Sequence, residues 1–256
     1  MYISVDLGGT NTRVAGALSL ESAVFVGEPL RHRNMGTYQA DLQFIIDTAL
    51  EISGKEPIDA LGMGLAGRLN DEKTEIAVAK HFPDWVGEPL AATLGAELDC
   101  PVYLDTDAIG EGLGEAYYGV AVGDFHYIDW GTGIGSADIR RSGDEVRATR
   151  VDWLVYCKDW EDSCGGKPLE QRYGKPPETF NETEWLEVID EFQMYLGRYV
   201  EATQPGAVVF GGGLAVRHAD SITTPTDAYD LPLAVTQFGK NTGLVGALGL
   251  IRRGTG

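Results

Sequence analysis

The 256-residue chain reads as an α/β protein with a parallel sheet component, and three features of its sequence lead there. Short β-branched apolar runs alternate with amphipathic stretches of helical period, the pattern of strands linked by crossover helices. The 34 glycines cluster at Gly8-Gly9, 62–67, 110–119, 131–135, Gly165-Gly166 and 211–213, mostly after or inside apolar runs. Such placement marks strands ending in turns where the backbone must approach something closely. Finally, the segment V-D-L-G-G-T-N-T-R-V has a weak echo in I-D-W-G-T-G-I-G-S-A: a strand, an Asp, a Gly/Thr-rich turn and a returning strand. Duplication of one α/β lobe about a central cleft would produce that echo.

Taken in order, residues 2–5 form a short strand and 13–18 a second, joined by the turn L-G-G-T-N-T. In 40–52, Leu42, Ile45, Ile46, Ala49 and Leu50 fall at helical spacing. Segments 60–65 and 102–104 read as buried strands, and 108–118 as a helix despite its glycines. A second strand–turn–strand covers 125–128 and 136–139. The clearest helix is 185–202, with Ile189, Phe192, Leu196, Tyr199 and Val200 on one face and Gln204-Pro205-Gly206 as its stop. A strand at 207–210 opens onto Gly211-Gly212-Gly213, and 242–251 closes the chain as a helix. The expected division is a first lobe over 1–105, with 242–256 as the segment that could complete it, and a second over 106–241. No Pro- or Ser-rich linker marks the boundary.

Thirty-nine acidic residues against twenty basic give a formal net charge of −19. Nucleic-acid grooves need clustered Lys and Arg, so this balance argues against a nucleic-acid partner, and against anionic membrane surfaces for the same reason. No apolar run approaches the roughly 20 residues of a membrane helix. The N-terminal residues also lack the basic start and cleavage site of a signal peptide. The expectation is a cytoplasmic protein. The acid excess is spread along the chain, which predicts a halophilic protein whose self-repulsion concentrated salt would screen. Cys100, Cys157 and Cys164 are too few and too odd in number for a disulfide framework.

Three glycine turns carry the chemistry. In D-x-G-G-T-N-T, Gly8 and Gly9 can bring backbone N–H groups to a phosphate, with Thr10, Asn11 and Thr12 adding side-chain donors. Asp6, at the strand end, can hold Mg²⁺ through its waters. Gly131, Thr132 and Gly133 form a second such turn. A dinucleotide fingerprint is excluded there, because a strand follows where the fingerprint needs a helix. Gly211, Gly212 and Gly213 would let a flat or charged ligand lie on the backbone; a plain strand-to-helix turn is the alternative.

Those turns and the segments GMGLAGRL, AKHFPDWVGEPLAATLG, PVYLDTDAIGEGLGEAYYG and CGGKPLEQRYG follow one another in an order that resembles the ROK family of sugar kinases, which includes glucokinases. The resemblance implies the two-lobed actin-like ATPase (ribonuclease H-like) fold with a central interlobe cleft. It also implies ATP and Mg²⁺, and transfer of the γ-phosphoryl group of ATP to a sugar hydroxyl. The catalytic base of the family is the Asp of an N-D-A-N segment. Here that stretch is Thr106-Asp107-Ala108-Ile109, so Asp107 takes the role, and it also suits a helix N-cap before 108–118. Asp105 falls at a position that is often acidic without being the base.

The resemblance further implies sugar contacts from Gly67, Thr106, Asp107 and Glu170, and from His81, which stands where the family has an Asn. The family's E-x-G-H segment has no clear match, and its His falls nearest Asp152. Ile109 replaces a second Asn. The family's zinc site needs one His and three closely spaced Cys; this chain has no His between His126 and His218, so no zinc site is expected. The other histidines, and the five tryptophans, are expected in loops, strands or core rather than in catalysis. Family members are commonly homodimers, which makes a homodimer the implied assembly. The departures leave the sugar open among glucose, fructose, N-acetylated hexosamines or another polyol. A sugar- or nucleotide-binding regulatory protein without kinase activity is the competing function.

Overall fold

The computed structural model describes residues 1–54, 56–80, 82–119, 123–224 and 230–255. The chain divides into two compact units, Met1–Tyr118 with Asn241–Gly256, and Gly119–Lys240. The first begins with β1 (Tyr2–Leu7), β2 (Asn11–Ala17), β3 (Val26–Arg33), α1 (Tyr38–Ser53) and β4 (Ala60–Leu65). A small hairpin, β5 (Arg68–Leu69) and β6 (Ile76–Val78), precedes α2 (Leu90–Leu98), β7 (Val102–Thr106) and α3 (Asp107–Tyr118). The second unit contains β8 (Phe125–Trp130), β9 (Ile134–Ser142) and β10 (Glu145–Arg150). It continues through α4 (Trp153–Tyr156), α5 (Lys158–Cys164), α6 (Gly166–Tyr173) and α7 (Glu182–Thr203). After β11 (Val208–Gly211), α8 (Gly213–Arg217), α9 (Ala219–Ile222) and β12 (Leu233–Val235), α10 (Thr242–Thr255) returns to the first unit. Among the described residues no helix is long and apolar enough to cross a membrane.

The first sheet has the order β3-β2-β1-β4-β7. β1 is antiparallel to β2 and parallel to β4, which is parallel to β7. β4 is buried along its whole length. Gly62 on it leaves room for the Ala247 carbonyl of α10 where a side chain would stand. α10 meets α3 through glycines as well. A Cβ on Gly246 would lie 2.6 Å from the Glu111 nitrogen, and one on Gly249 2.8 Å from that of Gly114. This close packing keeps 107–118 helical although each interior Gly costs about 1 kcal/mol relative to Ala. It also corrects the expected lobe boundary near 105: α3 belongs with α10 and β4, and the division falls after Tyr118.

The second sheet, β10-β9-β8-β11-β12, repeats the arrangement, with β8 antiparallel to β9 and parallel to β11, and β11 parallel to β12. The sequence echo thus joins the same hairpin of two like-built sheets. Trp130, Trp160, Phe192, Tyr199 and Phe210 fill this unit's core. α7 starts at Asn181 with a capping box closed by Glu184. Its buried face is Trp185, Val188, Phe192, Leu196 and Tyr199, while Ile189 and Val200 are only half-buried. The sequence reading did not include β3, β10 or the β5–β6 hairpin. β3 is a mostly exposed edge strand that contains Pro29, and β10 buries only Val146, so neither has the apolar alternation that marks a strand.

Candidate active site

The first glycine turn is shorter than its sequence suggested. β1 and β2 pair as far as Leu7 and Thr12, so Asn11 and Thr12 are strand residues and Gly8, Gly9 and Thr10 make the turn. The Gly8 N–H closes it on the Asn11 carbonyl at 3.0 Å. Thr10 is exposed at the tip, whereas Thr12 is buried and donates to Asn34 Oδ1 at 2.8 Å. Asn34 in turn donates from Nδ2 to the Gly8 carbonyl at 2.9 Å and from its backbone to that of Thr10 at 3.0 Å. It therefore braces the turn from beyond β3. No sequence spacing ties residue 34 to residues 8–12; the β2–β3 pairing that ends at Asn11 and Arg33 does.

Asp6 lies opposite Arg13 in the β1–β2 ladder. Arg13 donates to Asp6 Oδ2 from Nε at 2.9 Å and also from its terminal Nη2. On its other side the carboxylate lies against the start of α10, where a Cβ on Gly243 would come within 2.8 Å of both oxygens. The carboxylate is an oxygen donor suited to hydrated Mg²⁺. Arg13 already neutralises one of its oxygens.

Asp6, Gly64 and Asp105 are register partners across β1, β4 and β7, so the parallel strands end level. Asp107 follows directly as the first residue of α3, half-buried, and its Oδ1 accepts from the Ala108 N–H at 2.8 Å. A Cβ on Gly64 would lie 3.8 Å from the Asp107 Cα, so the end of β4 lies beside the start of α3. Thr106 donates from its backbone to Asp105 Oδ1 at 2.9 Å. Ile109 is 3% exposed, a core residue where the family's motif has an Asn. Gly67 follows β4, with a Cβ there falling 2.9 Å from the Val78 carbonyl. His81 lies outside the described residues. After it, Asp84 accepts from the Tyr38 N–H at 2.5 Å, and Trp85 is buried against Tyr38 and Phe82.

In the second unit, the Gly131–Thr132–Gly133 turn is held by α6: its Gly131 and Thr132 carbonyls accept from the Gly166 and Lys167 N–H groups at 2.9 and 2.8 Å. Glu161 accepts from the Ile134 N–H at 2.9 Å and occupies the space a Gly133 side chain would need. Asp129 plays the matching part for the third turn, with its carboxylate where a Cβ on Gly212 would stand; Gly212 has φ +86°, which also favours glycine. Gly211 makes room for the Tyr127 hydroxyl, and Gly213 is exposed. Glu161 was not singled out in the sequence, and Asp129 appeared there only in the echo.

Asp152 caps α4, accepting from Leu154 and Val155 at 3.1 and 3.4 Å. Glu170 pairs with Lys167 at 3.0 Å on α6. Cys157 is buried beside Ser136, 3.2 Å away, and burial pushes its thiol up to about 11; burial likewise pushes Cys164 up to about 12. Both are neutral thiols inside the core. Among the described residues no three His, Cys, Asp or Glu side chains group to hold a metal ion.

The ROK family model matches residues 2–140, more than half of the chain and both Gly/Thr turns. The chain belongs to the ROK family. A glucokinase of Thermotoga maritima is 32% identical over 136 residues, 52% of this chain and 42% of that protein. A protein provisionally named a xylose repressor, from a Caldicellulosiruptor species, is 27% identical over 158 residues, 57% of this chain and 37% of its own. The matched stretch therefore spans less than half the length of these curated relatives. Two solved structures share the fold along its length. An inorganic polyphosphate/ATP-glucomannokinase from Arthrobacter sp. strain KM superposes with a TM-score of 0.80 at 23% identity, covering 99% of this chain and 98% of that one. A ROK glucokinase from Streptomyces griseus, solved with glucose and AMPPNP, gives 0.77 at 20%, covering 100% and 99%. The ROK fold is the actin-like ATPase fold expected from the sequence.

Proposed function

We propose that the protein is a sugar kinase that transfers the γ-phosphoryl group of ATP to a hydroxyl of a hexose or related sugar, with Asp107 as general base. The observation that carries this reading is the placement of Asp107 at the start of α3, directly after parallel strands that end level with the first glycine turn. A carboxylate there accepts the sugar proton as the phosphoryl group is transferred, a contribution of typically about 10²–10⁴-fold. Gly8, Gly9, Thr10 and Asn11 are assigned to the phosphates, with Thr12 supporting the turn. Gly131, Thr132, Gly133 and Gly211, Gly212, Gly213 are assigned to the rest of the nucleotide. Asp6 would hold Mg²⁺ through its water shell by the oxygen Arg13 leaves open, and the cation would offset phosphate charge. Gly67, Thr106, His81 and Glu170 are assigned to the sugar; Asp152 is left to its role as a cap.

The test is a coupled assay for ADP across glucose, fructose, mannose and N-acetylated hexosamines. Asp107→Ala should lower sugar-dependent turnover by about 10³-fold while ATP affinity stays within about threefold. Wild-type turnover in that variant would overturn the assignment. The relative named for xylose repression supports a second reading, a sugar-binding regulator, which predicts sugar binding by calorimetry with no ADP formed in the presence of any of these sugars.

A further inference from the structure

Two residues before Asp107, a buried carboxylate holds two cations. Asp105, whose side chain is 7% exposed, meets Lys73 Nζ at 2.6 Å and Arg253 Nη2 at 3.1 Å through the same oxygen. Arg253 comes from the last turn of α10 and Lys73 from the turn between β5 and β6. Lys73 has φ +56°, a conformation L side chains avoid, and its N–H donates to the Asn70 carbonyl at 3.1 Å. The Asn70 side chain accepts from the Thr74 N–H at 2.8 Å, which closes the loop around it. The left-handed backbone aims a long side chain, half-exposed along its stem, at a carboxylate on another strand.

We propose that Lys73 is a positioning residue for Asp107: paired with Asp105, it fixes the charge beside the base and pins the hairpin that follows Gly67 to the strand end. This rests on the reading of Asp107 as base. Asp105, Lys73 and Arg253 together carry one net positive charge, which favours the ionised carboxylate of a neighbour. The other charged groups on elements packed around α3 are few. β4 has none; β5 has the exposed Arg68, and β1 has Asp6, already paired with Arg13. On α10, Arg252 lies over Tyr117 and Tyr118 at the far end of α3, 4.9 and 5.5 Å from their rings. α3 itself carries buried Glu111 and Glu115. Of these groups, Asp105 is the nearest to the base along the chain, with Thr106 alone between them.

An electrostatic role has a sign that a structural role lacks. Lys73→Met removes a positive charge and should raise the Asp107 pKa; Asp105→Asn removes a negative one and should lower it, each by about half a unit or more. Lys73→Arg should leave it where it was. The measurement is ¹³C carboxylate titration by NMR, with the Asp107 signal assigned from Asp107→Asn, alongside the pH profile of kcat. The acid limb of kcat should move to higher pH in Lys73→Met and to lower pH in Asp105→Asn. Shifts of the same sign in both variants, or none, would overturn the proposal. Should Asp105→Asn fail to fold, Lys73→Met decides alone, because Lys73 sits on a half-exposed turn: an upward shift supports the proposal and an unmoved pKa sinks it. If the wild type forms no ADP with any sugar, the kinase reading fails by itself, and the NMR titration still decides whether Lys73 sets the Asp107 charge.

Discussion

Thr12 and Asn34 illustrate how single residues hold the first turn. The Thr12 hydroxyl is buried and bonded, and Asn34 returns two bonds to the turn backbone. Thr12→Val keeps the shape but leaves Asn34 Oδ1 without its donor inside the protein. The expected loss is about 1–2 kcal/mol in urea unfolding, with a raised KM for ATP if the turn grips phosphate. Unchanged stability would mean that water replaces the hydroxyl. Asp6 is governed by its neighbours in the same way: Arg13 takes one oxygen, and only the absent side chain at Gly243 allows α10 to start beside it. The residue types Asp, Gly, Thr and Asn make this turn legible in the sequence, and the proposed function assigns it to phosphate. The division of labour among them is not legible there, because Asn34 enters through a strand pairing rather than through spacing.

Between elements, the α3–α10 contact shows what the glycines of 107–118 are for. Cβ atoms on Gly114, Gly246 and Gly249 would come within 2.9, 2.6 and 2.8 Å of the facing helix backbone, too close for a side chain, while one on Gly110 would find ordinary contact at 3.5 Å. Gly246→Leu should therefore cost about 3 kcal/mol, since both backbones would have to separate. Thermal unfolding checks this, and a loss under about 0.5 kcal/mol would show that the helices can slide apart without penalty. The packing also explains the lobe boundary. The sequence places the helix that follows Asp107 with the second lobe, but Gly110 and Gly114 on it pack against α10. In the second unit, α6 and Glu161 hold the Gly131–Gly133 turn, and the Asp129 carboxylate lies against Gly212. Both glycine turns thus have a carboxylate where their Cβ atoms would be.

For the whole molecule, the decisive quantity is the net charge of −19. Several ion pairs, such as Lys158–Asp162 and Arg147–Glu145, are exposed and worth little, so screening them loses less than screening the acidic repulsion gains. The expected outcome is a rise in unfolding temperature of about 5 °C or more between dilute buffer and 2 M KCl. A flat or falling midpoint would remove the halophilic reading. Two sheets of like topology, each opening with a strand whose next-to-last residue is Asp and a glycine turn, also give the sequence echo a structural meaning.

Local pattern in the chain specifies the α/β class, the core strands β1, β2, β4, β7, β8, β9 and β11, the helices α1, α3, α7 and α10, and the glycine turns between them. Apolar period and glycine placement are local signals, written within a few residues of the element they specify. Packing in three dimensions sets the rest: Asn34 braces residue 12, Lys73 and Arg253 meet Asp105, Glu161 and Asp129 lie against glycines, and α3 belongs to the first unit. Each of these joins residues tens to hundreds of positions apart. Such contacts leave no period in the chain, and they form only when packing brings the strand ends and helix starts together.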